Sequence, residues 1–208
     1  MKLIGINGGT FDPVHYGHLR PALEVMQHLG LEQVRFVPCF RPVHKGEPNV
    51  SAQQRSEMIR LAINKQPKFA LDTIEMDKGG PSYMVDTLRI LKQDFADSAL
   101  ILMMGTDAFA KFDSWHKWQD ILDLANILVM HRPGEPVPQN GKSGEIYKKY
   151  HVNAFTQIHG QIKDMAVTQL DISSTRVRKY LQAGLSAEYL VPPCVMEYIN
   201  KHGLYQPK

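Results

Sequence analysis

The stretch Leu3-Ile4-Gly5-Ile6-Asn7-Gly8-Gly9-Thr10-Phe11-Asp12-Pro13-Val14-His15-Tyr16-Gly17-His18 decides how this chain is read. Residues 3–7 are an apolar run of strand length, and they lead straight into two glycines. Beyond Pro13 the period changes. Leu19, Ala22, Leu23, Met26 and Leu29 recur at helical spacing up to Gly30, a residue suited to ending a helix. A strand, a glycine turn and a helix in direct succession form the first unit of a parallel sheet, whose ligands bind beyond the carboxyl ends of the strands.

The same alternation continues along the chain. Residues 34–38, 69–76, 99–104 and 127–131 read as strands. Between them lie helical patterns: Met58, Ile59, Ala62 and Ile63 after a Ser51/Gln54 capping box; Val85, Leu88 and Leu91; and Trp115, Trp118, Ile121 and Leu122. Residues 133–144 are rich in Pro and Gly and read as a loop, followed by a Tyr-Lys helix and a late strand near 154–158. Val177, Tyr180 and Leu181 mark a helix before Gly184, and a last helix opens at Pro192-Pro193 and stops at Gly203. The expectation is an α/β fold, a Rossmann-like doubly wound parallel sheet with a small C-terminal helical region. It forms one domain over residues 1–208, with a core at 1–183 and a helical extension at 184–208.

Composition narrows the function. A chain of 208 residues buries a full core without disulfides. Its 24 Lys+Arg and 21 Asp+Glu are interleaved, giving a net charge of only +3 and no basic stripe, which argues against a nucleic-acid partner. Two cysteines, Cys39 and Cys194, favour a reducing compartment. No apolar stretch approaches membrane-spanning length, so a cytoplasmic protein with no membrane partner is expected. Assembly into a homo-oligomer is left open.

The opening stretch carries the chemistry. Gly8 and Gly9 let a ligand approach the backbone, and Thr10 and Phe11 can offer main-chain N–H groups to a phosphate. His15 and His18, three apart at a helix entrance, share a direction beside the positive end of the helix dipole, which suits an anion. Gly17 removes a side chain where an adenine or ribose could press. The bland alternative is a pair of capping or core histidines; a metal pair ranks lower, since no third ligand accompanies it at a recognisable spacing. Asp171-Ile172-Ser173-Ser174-Thr175-Arg176-Val177-Arg178 places three hydroxyls at a helix start with Arg178 one turn in, either an anion site or plain helix capping. Gly105, Asp107 and Arg132 follow later strands; Asp107 can accept ribose hydroxyls or cap a helix. Trp115, beside His116, offers a stacking face or one more core aromatic. Lys45, in the loop after the second strand, can meet a phosphate or simply be solvated. Gly141-Lys142-Ser143 looks like the end of a P-loop, but Pro136 stands where the earlier glycine belongs and no strand precedes it.

Gly-Gly-Thr-Phe-Asp-Pro-Val-His-Tyr-Gly-His resembles the signature of the H-x-G-H nucleotidylyltransferases, and Ile172 to Arg178 resembles their second motif. With Pro81-Ser82-Tyr83, Asp86-Thr87-Leu88 and the tail Leu190-Val191-Pro192-Pro193 to His202-Gly203-Leu204-Tyr205, the chain resembles the bacterial nicotinate-mononucleotide adenylyltransferase family nearly end to end. The resemblance implies ATP and nicotinate mononucleotide as substrates, with Mg²⁺ entering on ATP rather than on protein ligands. It implies catalysis by His15, His18, Lys45 and Arg178. ATP would be held by Gly9, Thr10, Phe11, His15, Gly17, His18, Gly105, Asp107, Ser173, Ser174, Thr175 and Arg178. Nicotinate mononucleotide would be held by Gly8, Lys45, Tyr83, Met84, Thr87, Asp107, Trp115, His116 and Arg132. Two departures fall on the acceptor side: the family usually has Thr where Met84 stands and often Tyr where His116 stands. Shorter relatives with the same first motif lack the Trp115 and Arg132 segments, and a nucleotide sensor without turnover is the alternative from another class. Changing His18 to Ala should leave the fold intact, by circular dichroism, while turnover falls by about two orders of magnitude or more; near-normal turnover would refute its role.

Overall fold

The structure is a computed structural model, and it describes residues 1–42, 46–135 and 137–207. Strands and helices alternate from the start: β1 Lys2–Gly9, α1 Tyr16–Leu29, β2 Gln33–Pro38, α2 Ala52–Ile63, β3 Phe69–Leu71, α3 Ile74–Lys78, α4 Met84–Asp94 and β4 Ser98–Gly105. There follow α5 Thr106–Phe109, a 3-10 turn at Phe112–Ser114, α6 Trp118–Leu124, β5 Asn126–His131, α7 Gly141–Tyr150, β6 Ile162–Ala166, α8 Ser174–Gln182 and α9 Pro193–Lys201.

The strands form one parallel sheet in the order β3-β2-β1-β4-β5-β6. This is the doubly wound Rossmann-like arrangement expected, and the order reverses between β1 and β4. Successive side chains of β4 separate cleanly: Ala99, Ile101 and Met103 join the apolar layer under α1, α2, α8 and α9, while Leu100, Leu102 and Met104 join the layer under α4 to α7. Both faces are therefore covered, as a parallel sheet requires. Helix ends follow the local chemistry. Gly30 closes α1 at φ 62°, and at α2 the Ser51 hydroxyl accepts from the Gln54 amide while the Gln54 side chain accepts from the Ser51 amide. No helix among the described residues is long and apolar enough to cross a membrane.

Three expectations are corrected. The third strand stops at Leu71 instead of running to residue 76, because the Asp72 carboxylate receives the Ile74 amide at 3.1 Å and turns the chain into α3. The late strand is β6 at Ile162–Ala166, not residues 154–158. The Thr156 and Gln157 amides are instead taken by the Gln161 side chain, so that segment stays a loop. Trp115 lies ahead of α6, after the 3-10 turn, which frees it from the helix face assumed for it.

Glu24 of α1 joins the sheet's far side to the phosphate-facing end. It accepts from Arg20 at 2.6 Å and from the Thr168 amide at 2.7 Å, holding the segment that leads from β6 to α8. Burial works against its charge, but the Thr168 amide and Arg20 outweigh that and keep the carboxyl below its ordinary value of 4.5. A carboxyl with a depressed folded pKa stabilises above its unfolded value, and that contribution is lost as pH falls through the folded one. Glu24→Gln should therefore lower stability at pH 7 by on the order of 1–3 kcal/mol. The deficit should shrink as pH drops below about 4.5 in thermal unfolding; a pH-independent deficit would contradict the assignment.

Candidate active site

The carboxyl ends of β1 and β4 open into a cleft of about 1020 Å³, at the upper limit for a small-molecule site and roomy enough for two substrates together. Gly8, Gly9, Thr10, Phe11, His15, Gly17 and His18 line one wall. Ser173, Ser174, Thr175 and Arg178 line a second, and Tyr83, Met84, Gly105, Asp107, Trp115, His116 and Arg132 complete it. Nearly all residues singled out from the sequence thus converge. Lys45 lies outside the described residues. Thr87 is set back: it is buried, and its hydroxyl donates to Glu75 Oε1 at 2.8 Å instead of reaching the cleft.

The two histidines are stacked, with ring centroids 3.7 Å apart and planes 29° apart. The His15 amide donates to His18 Nδ1 at 3.3 Å. When His18 is neutral its proton therefore sits on Nε2. His15 is buried, and burial pushes it down to about 4, so at neutral pH it is uncharged. His15 can therefore give a phosphate a hydrogen bond but not a charge. Gly17 has a different purpose from the one expected. A Cβ there would stand 2.9 Å from the His15 ring and 3.2 Å from the Ile172 carbonyl, so the space is used by His15 itself. At Gly8 a Cβ would come within 2.5 Å of Met84 Cε, which means that Met84 lies directly over the glycine turn.

The second motif is fastened to the first. Arg178 donates to the Asp12 carbonyl at 2.7 Å and lies 3.7 Å from its carboxylate, and the Ser174 hydroxyl donates to the Pro13 carbonyl at 2.9 Å. Ser173 caps α8 by accepting from the Arg176 amide, and Thr175 accepts from Arg178. The three hydroxyls thus build the wall, leaving the α8 amino terminus and the Arg178 guanidinium for an anion. Asp12 is the hub that sequence reading passed over: its carboxylate also receives the Tyr205 hydroxyl at 2.7 Å and both the amide and side chain of Asn49. Arg55, another omission, is 1 % exposed and donates to the Thr10 carbonyl at 2.7 Å, bracing the glycine turn from below. Its signal was present in the sequence as a charged residue on the apolar stripe of α2. Nothing local foretells Tyr205.

On the acceptor side Tyr83 and His116 face each other with ring centroids 4.4 Å apart, and Trp115 packs on Phe112. Ser82 receives the amides of Phe40 and Arg41, which ties this wall to the end of β2. Among the described residues no group of three or more His, Cys, Asp or Glu is arranged to hold a metal ion.

The sequence pattern of the cytidylyltransferase-like family matches residues 6–180. A protein of Hydrogenovibrio crunogenus named as a probable nicotinate-nucleotide adenylyltransferase is 58% identical over 205 residues, covering 99% of this chain and 98% of its own. One of the same name from Dechloromonas aromatica is 44% identical, covering 98% and 97%. The structure of Plasmodium falciparum nicotinic acid mononucleotide adenylyltransferase complexed with NaAD superposes with a TM-score of 0.77 at 20% identity, over 99% of this chain and 98% of that one, so the fold is shared.

Tyr205→Phe removes one donor from a buried carboxylate and should lower stability by about 1–3 kcal/mol in denaturant unfolding. A loss below about 0.5 kcal/mol would mean that Asn49 and Arg178 satisfy Asp12 unaided.

Proposed function

The chain belongs to the nicotinate-nucleotide adenylyltransferases, within the cytidylyltransferase-like family, and we propose how its cleft serves their reaction. The reaction is adenylyl transfer from ATP to nicotinate mononucleotide, forming nicotinate adenine dinucleotide and releasing pyrophosphate. A 5′-phosphate oxygen of the mononucleotide attacks the α-phosphorus in line as the bond to the β-phosphate bridging oxygen breaks. A phosphate monoester is already nucleophilic near neutral pH, so no general base is required, and positioning and charge stabilisation supply the acceleration.

The observation that carries this assignment is the junction of the two phosphate-facing segments, Gly8–His18 and Ser173–Arg178, through Arg178, Ser174 and Asp12. Main-chain amides of the glycine turn, His18 Nε2 and the neutral His15 ring hydrogen-bond the triphosphate around the α-phosphorus. Arg178 and the amino terminus of α8 draw the charge that develops on the leaving pyrophosphate. Magnesium entering with ATP fits this donor set, which offers cations and N–H groups to phosphate and leaves the ion to phosphate and water oxygens. Bound there it would neutralise charge on the leaving group. The nicotinate ring is assigned to the space beside the Tyr83–His116 pair and Trp115, with Met84 over Gly8 below it, and Asp107 and Arg132 are assigned to the mononucleotide's ribose and phosphate. Lys45 is assigned to the phosphates by sequence alone.

Pyrophosphate release, followed with each mononucleotide in turn and magnesium present, tests both turnover and acceptor choice. kcat/KM for nicotinate mononucleotide should exceed that for the nicotinamide analogue by about tenfold or more. Equal values would remove the acid preference, and tight binding without pyrophosphate would favour a sensor.

A further inference from the structure

Away from the reacting groups, polar side chains from three elements meet where β5 ends. Through Oδ1, Asp164 of β6 accepts from the Tyr147 hydroxyl of α7 at 2.6 Å and lies 3.2 Å from Nε2 of His151, the residue after α7. Its Oδ2 lies 3.3 Å from Nε2 of His131, the last residue of β5. The other nitrogen of that ring, Nδ1, is 2.9 Å from the carbonyl oxygen of Arg132. His131 thus stands between a carboxylate and a carbonyl, neither of which can donate. A neutral imidazole has one N–H and can serve only one of them; the imidazolium serves both. Burial works against charge on Asp164, but its donors, led by Tyr147, hold its carboxyl below the ordinary range, so the carboxylate is ionised at neutral pH.

The carbonyl that His131 grips also receives the Glu135 amide at 3.0 Å, and it begins the turn from which the Arg132 side chain enters the cleft wall. We propose that His131, clasped between Asp164 and the Arg132 carbonyl, is a positioning residue for nicotinate mononucleotide, fixing the direction in which Arg132 leaves β5. This rests on the assignment of Arg132 to the mononucleotide. Without that clasp the contact that orients Arg132 is lost. The groups around the ring are Asp164 from β6, Tyr147 from α7 and His151 just after it, both acting through that carboxylate, and Arg132 with its partner Glu135 at 3.5 Å in the following loop.

The test is steady-state kinetics of wild type, Arg132→Ala, His131→Ala and His131→Gln, with both KM values and kcat measured. Arg132→Ala should raise KM for nicotinate mononucleotide; if it does not, the assignment of Arg132 falls and this proposal with it. His131→Ala should raise the same KM about tenfold, the effect of one lost charge-assisted hydrogen bond, while kcat and KM for ATP stay within about twofold. His131→Gln keeps the side chain's bulk and one donor, so a smaller rise guards against misfolding as the cause. A raised KM in Arg132→Ala alone, with the His131 variants unchanged, would overturn the positioning role and leave the Arg132 assignment standing.

Discussion

The carboxylate of Asp12 is the point on which the site depends. It is 4 % exposed, and an ionised group so far from water persists only if charge and hydrogen bonds compensate for lost hydration. Its partners come from three separate parts of the chain: Asn49 ahead of α2, Arg178 on α8 and Tyr205 beyond α9. Each is drawn to the same few ångströms because the alternative is a buried acceptor left unpaired. The glycine turn thereby becomes rigid without bulky side chains of its own, which leaves its amides facing the cleft.

The electrostatics of the site follow from this arrangement. Burial keeps His15 neutral, so among the described residues of the two motifs the positive potential comes from the helix amino termini and from Arg178, one of whose contacts is already shared with Asp12. A site built from dipoles and N–H donors needs little reorganisation as charge moves from the α-phosphorus to the departing pyrophosphate. The acceptor wall is organised differently, by ring contacts among Tyr83, His116 and Trp115. The glycine turn and the aromatic wall thus rest on separate supports, joined by Met84 lying over Gly8.

Much of this could be read from the chain before any coordinates. Helix ends were legible because Gly30, Ser51 and Gln54 act on their immediate neighbours, and the two motifs because their residues are contiguous. What escaped depends on contacts distant in sequence. The run 69–76 carries strand-like residues throughout, yet Asp72, held by Arg35 from the neighbouring strand at 2.7 Å, diverts it. The loop at 154–158 is apolar enough for a strand, but the amides it would use are captured by Gln161. Thr87 stands one helical turn from Tyr83 and looks like part of the same wall, while its hydroxyl is directed at Glu75. Asp12 and Arg178 were visible as parts of motifs, whereas their pairing and the parts played by Asn49 and Tyr205 were not.

The bond between Tyr205 and Asp12 spans 193 positions and joins the turn after β1 to the residues beyond α9. During translation β1 and α1 can form before those residues exist, since their contacts are local. The buried acid of the glycine turn has only Asn49 to meet it until α8, α9 and the residues after them have left the ribosome. The sheet can therefore grow while its cleft is unfinished, and completion of the cleft waits on a segment far along the chain.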